Sequence, residues 1–161
     1  MSLDRDAVVR RYKQLLVEME LEAKDVVLNA GAALVLLGMR KTTNDLDVSV
    51  PVDFFDKQRV RKGTLNGLTG PVVAWDGMVD LYPLPSHFTR SHVVNYLGIW
   101  IYSPKELIKQ KRKLAKHKDR DPRKAAQDRA DIVKLKELMD NVNDAKRQLE
   151  DAGVSLVATK V

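Results

Sequence analysis

Apolar and polar positions recur along this chain with two different periods, and the places where the period changes mark out its elements. Val8, Tyr12, Leu15, Leu16 and Met19 follow helical spacing, with Asp6 placed to cap a first helix. Asp25 breaks that pattern ahead of a short buried strand, Val26 to Leu28. Gly31 to Met39 reads as a short apolar helix that Gly38 ends. Leu46 to Val50 alternates as a strand stopped by Pro51, and Val52 to Lys62 returns to a helical pattern. Gly63, Gly67 and Gly70 mark loops. Val72 to Trp75 and Met78 to Tyr82 flank Asp76-Gly77, a two-residue hairpin signal. Leu97 to Tyr102 is a further strand. Ser103, Pro104 and Glu106 supply a cap, a first-turn proline and a capping-box partner for the next helix. A last helix runs from about Pro122 to Glu150, with Ile132, Leu135, Met139 and Val142 on one face. The end, Gly153 to Val161, is expected to fray.

This order predicts an α+β fold, a mixed sheet flanked by helices with a C-terminal helical extension, and not a doubly wound coenzyme-binding fold. Residues 1–102 form the expected α/β core, and residues 103–161 a basic helical extension packed on it within one structural domain.

Composition narrows the chemistry. The length of 161 residues suits one domain with a real core, and 44% hydrophobic residues is too many for a compositionally disordered chain. The absence of cysteine removes disulfides, thiolate metal ligands and a Cys nucleophile, and fits a reducing compartment. No apolar run approaches the roughly 20 residues of a membrane helix, and the N-terminus lacks a signal-peptide core. A cytoplasmic protein with no membrane partner is the resulting expectation. The net charge of +6 is uneven: Lys105 to Lys124 holds ten Lys or Arg against Glu106, Asp119 and Asp121, a local +7. Such a block attracts phosphates or nucleic acid, or else forms a solvated helix face.

Sixteen of the 22 acidic residues are Asp, so an Asp-x-Asp pair carries little information by itself. Asp4/Asp6 lies at a helix start and Asp119/Asp121 in a charged linking segment. Only Asp45/Asp47 interleaves with Leu46, Val48 and Val50, which puts Asp45, Asp47 and Ser49 together on one face of a strand. Carboxylates this close repel unless a cation intervenes, and Mg²⁺ prefers one or two carboxylates completed by water and phosphate. Asp80, sharing a face with Met78 and Tyr82, is a candidate third acid if its strand is a neighbour. The alternative is three solvated surface aspartates. His87, His92 and His117 show no metal-ligand spacing, and no Walker-type loop, nucleophile elbow or zinc signature is present.

The ordered motifs Ala30-Gly31-Ala32-Ala33-Leu34, Gly38-Met39-Arg40-Lys41-Thr42-Thr43-Asn44-Asp45-Leu46-Asp47 and Val79-Asp80-Leu81 resemble the polymerase-beta-like nucleotidyltransferase superfamily. The nearest likeness is to small bacterial and phage members of the abortive-infection toxin and antibiotic nucleotidyltransferase type. Ser103 to Lys111 and Asp128 to Ile132 resemble its downstream helices, so the likeness spans roughly Val26 to Leu138. The resemblance implies NMP transfer from an NTP to a hydroxyl of a nucleic acid such as tRNA, of a protein or of a small molecule. It also implies Mg²⁺ or Mn²⁺ held by Asp45, Asp47 and Asp80, with Asp80 as ligand or base. Ala30, Gly31, Arg40, Thr43 and Lys111 are its implied nucleotide contacts. One departure is Ala30, where the family has glycine. A degenerate member acting as a nucleic-acid-binding, toxin–antitoxin or phage regulatory protein is the alternative. Asp128 and Asp131 either line the site or pair along their own helix with Lys124 and Lys134.

Overall fold

Asp4, not Asp6, begins the first helix, α1 (Arg5–Met19): its carboxylate accepts the Ala7 N–H at 2.9 Å. Asp6 lies inside the first turn, where a negative charge complements the helix dipole. Leu3 just before the cap and Val8 one turn in are both buried, the positions of a hydrophobic staple. The computed structural model describes residues 2–153, so residues 154–161 of the expected frayed end lie outside the described residues. Tyr12 is wholly buried in α1, and its hydroxyl reaches the carbonyl oxygens of Ala23 at 3.1 Å and Val26 at 2.9 Å. A buried phenol needs such partners, and these tie α1 to the start of the sheet.

The chain divides into two units, Met1–Tyr102 and Ser103–Val161. In the first, β1 (Val27–Asn29), α2 (Ala30–Leu36), β2 (Leu46–Val50), α3 (Val52–Lys62), β3 (Leu65–Gly67), β4 (Gly70–Ala74), β5 (Val79–Pro83), β6 (Val93–Tyr96) and β7 (Ile99–Tyr102) follow α1. The sheet order is β3-β4-β5-β2-β1-β7-β6. Pairing is parallel for β2/β5 and β1/β7 and antiparallel elsewhere. The architecture is therefore α+β with a mixed sheet, as the element order predicts. One sheet face carries Leu28, Leu46, Val48, Val50, Val79, Leu81, Ile99 and Ile101, all essentially excluded from solvent. Each such aliphatic side chain contributes about 1.5–3 kcal/mol on burial.

Two turns differ from expectation. Val73 pairs with Leu81 and Ala74 with Asp80, so three residues, Asp76 to Met78, close the β4–β5 hairpin instead of two. The cause is the Asp76 carboxylate, which accepts the N–H groups of both Met78 (2.7 Å) and Val79 (2.8 Å) and so fixes the wider turn. A strand register moves by one residue as a result, setting apolar Val73 against apolar Leu81. The second difference is that β7 begins at Ile99 and not at the expected Leu97, and is preceded by a strand that the pattern does not predict, β6. It joins β7 through Leu97 (φ 51°) and Gly98 (φ 86°), a two-residue turn with both residues left-handed. Leu at such a position hides the signal that Asn would give. Likewise Gly67 and Gly70, expected as loop markers, end and begin the paired strands β3 and β4.

The second unit consists of α4 (Pro104–Ala115) and α5 (Pro122–Asp151). Ser103 caps α4 by accepting the Glu106 N–H at 3.2 Å, as expected. Asp121 caps α5 through the N–H groups of Arg123 and Lys124. Ile132 and Leu135 are buried, but the predicted stripe fades at Met139, and Val142 is exposed. No helix among the described residues is long and apolar enough to cross a membrane.

Candidate metal and nucleotide site

The polar sheet face gathers the acids. Asp47 of β2 lies directly beside Asp80 of the parallel strand β5, and Asn29 of β1 flanks Asp47 on the other side. Neighbouring strands are about 4.8 Å apart, so Asn29, Asp47 and Asp80 form one row across three strands. Asp45 sits exposed just before β2, two residues along the chain from Asp47. Ser49 and Tyr82 make the next row. Ser49 is buried, and its hydroxyl is hydrogen-bonded to that of Tyr102 at 3.1 Å.

Charge follows from this packing. Burial, reinforced by the charges of Asp45 and Asp80, pushes the Asp47 carboxyl up to about 7, and the Tyr82 hydroxyl offsets part of that rise. Asp80 is also raised, first by burial and then by Asp45 and Asp76. Tyr82 is held protonated by burial and by the surrounding carboxylates. Asp76 at the hairpin tip goes the other way. Burial raises it, but the Met78 N–H, the Arg11 guanidinium (2.6 Å) and the Val79 N–H outweigh that and lower its pKa. Asp47 and Asp80 thus share a strained charge environment from which Asp76 is relieved. Among the described residues no three acidic or imidazole side chains close on a ready metal cage. The acids share a row without converging on one point.

Around them the glycine turn and the Arg40–Asp45 loop come together. Ala30 opens α2 with φ 48°, the left-handed conformation that glycine adopts without strain. Its N–H is bonded to the Asn29 carboxamide at 2.8 Å, so Asn29 closes this turn as the cap of α2. A Cβ on Gly31 would lie 2.5 Å from Thr43 Oγ1 and 3.2 Å from the Arg40 guanidinium. Thr43 is buried, donates to the Asp45 carbonyl at 3.2 Å, and exchanges two backbone hydrogen bonds with Leu3. Gly31, Arg40, Thr43 and Asp45 are therefore one packed cluster. Leu3 is a member that the sequence reading passed over; its only signal is an apolar residue just ahead of a helix cap.

Lys111 belongs to the second unit and is buried there. Its ammonium pairs with Asp131 at 3.0 Å and Asp128 at 3.4 Å, and Arg120 grips Asp128 with two N–H groups at 3.0 and 3.1 Å. Asp128 and Asp131 thus point inward to Lys111, not outward to Lys124 and Lys134. Nothing matches in the comparisons with known proteins: no family model, no curated protein and no solved structure.

Proposed function

We propose that the first unit carries a metal-dependent nucleotidyltransferase site, which moves an NMP group from an NTP to an acceptor hydroxyl. The supporting observation is the adjacency of Asp47 and Asp80 on neighbouring parallel strands, with Asp45 near enough to raise the proton affinity of both. The donor set suits a hard divalent cation: carboxylate oxygens only, with one acid pushed up to about 7 by burial and by its neighbours' charge. A bound Mg²⁺ or Mn²⁺ supplies neutralisation of the triphosphate and of the leaving pyrophosphate.

The residues divide the remaining work. Asp45 and Asp47 would hold the cation. Asp80, with its raised proton affinity, takes the proton of the attacking hydroxyl as the new O–P bond forms and the bond to pyrophosphate breaks. Thr43 fixes the Asp45 backbone, and Gly31 leaves room for that contact. Arg40, whose guanidinium lies beside Gly31, would contact phosphate in this reading. The ion-paired Lys111 has no part in this scheme. Its acceptor is a hydroxyl of nucleic acid, protein or a small molecule.

Incubation of the protein with Mg²⁺ or Mn²⁺, each α-labelled NTP and candidate acceptors tests this reading. Label transfer and pyrophosphate release are expected, and Asp47→Asn or Asp80→Asn should lower both by about 10²–10⁴-fold, the range for losing a positioned acid–base group. Transfer at the wild-type rate in both variants would end the proposal.

A further inference from the structure

We infer that the outer face of α4 and the α4–α5 connection bind the phosphodiester backbone of nucleic acid, independently of the aspartate row. The first reason is how charge is partitioned. Residues 1–102 hold twelve Lys or Arg against twelve Asp or Glu, whereas residues 103–161 hold sixteen against ten. The whole net charge of +6 therefore resides in the second unit.

The second reason is how that charge is arranged. Lys105, Lys109, Arg112 and Lys116 recur at intervals of four, three and four, which aligns them as one exposed stripe. Buried Leu107, Ile108 and Lys111 occupy the other side of the helix. From first to last the stripe covers about 16 Å, on the order of five nucleotide steps at 3.4 Å each. Lys113, Lys118, Arg123 and Lys124 add exposed charge around the connection. Three of the nearby acids are engaged elsewhere: Asp128 and Asp131 face inward to Lys111 and Arg120, and Asp121 caps α5, which leaves Glu106 and Asp119 against the ten cations of the segment. None of the exposed cations of Lys105–Lys124 forms an ion pair among the described residues.

The third reason sets the mode of binding. Residues 103–161 contain no Phe, Trp or Tyr, so bases have no stacking platform there. The stripe also lacks the exposed apolar anchors of a membrane-surface helix. Recognition is therefore of backbone charge, indifferent to base sequence.

Fluorescence anisotropy on the full chain, with single-stranded RNAs of about 20 nucleotides and duplex DNA of equal length, reads this out directly. Four phosphate contacts on a single strand give a slope of log K against log salt near −3, an affinity loss of about 50-fold between 50 and 200 mM salt. Mixed-sequence and homopolymer RNAs should bind alike, and the RNA and DNA slopes show which backbone fits better. The triple variant Lys109→Gln, Arg112→Gln, Lys116→Gln should keep its helical circular dichroism, lose about two units of slope and bind more than 10-fold more weakly at 50 mM salt. Binding should survive Asp45→Asn with Asp47→Asn, so failure of the transferase reading leaves this one standing. Absence of binding at 50 mM salt, a flat salt response or wild-type affinity in the triple variant overturns the inference. Sedimentation with phosphatidylserine vesicles in place of nucleic-acid binding overturns it in favour of a membrane surface.

Discussion

Asp47 combines burial with two like-charged neighbours, and its proton links the site to stability. The folded carboxyl at about 7 lies above the value near 3.9 of an unfolded chain. Its contribution is therefore fully present below about pH 4 and is lost as pH rises through 7, because the folded state holds the proton longer. Urea midpoints in chelator should fall between pH 5 and pH 8, with a stability change on the order of a few kcal/mol. Asp47→Asn should flatten that fall and exceed the wild type at pH 8; equal slopes in the two proteins would contradict the assignment. The turn before it is strained differently. Ala30 at φ 48° carries a penalty that glycine avoids, so Ala30→Gly should stabilise the protein by about 1 kcal/mol. Gly31→Ala should do the reverse, because its Cβ would meet Thr43 at 2.5 Å. Thermal melts of the two variants should move in opposite directions.

Elements show where local pattern decides and where it does not. The bounds of β2 and α3 match the expected Leu46–Val50 and Val52–Lys62, since period, proline and cap all agree there. The β6–β7 hairpin was not legible, because Leu97 fills a position whose backbone asks for Asn or Gly. Leu97→Asn should raise Tm by about 2–4 °C through a gain near 1 kcal/mol, with activity unchanged. The buried charges between α4 and α5 were equally hidden. Helical spacing pairs Asp128 with Lys124 as readily as any partner, and only the folded helix pair shows Lys111 lying against both acids. Removing that ammonium takes away a buried counter-charge that Asp128 and Asp131 share, so Lys111→Met should cost about 3–5 kcal/mol, measurable by urea unfolding.

At the scale of the molecule, fold class and the order of the acids were legible, because they follow from period and from strand context. The adjacency of Asp47 and Asp80 was not, since a parallel pairing brings together residues whose spacing in sequence says nothing about contact. Charge partition was readable as a local excess, and it is complete across the expected division after residue 102, where the two units also part. The left-handed Ala30 has a consequence for how this chain can change. Alanine and glycine codons differ only in their middle base, so the backbone-compatible residue is a single point mutation away. A random library selected for survival of heat should recover Ala30→Gly early and repeatedly.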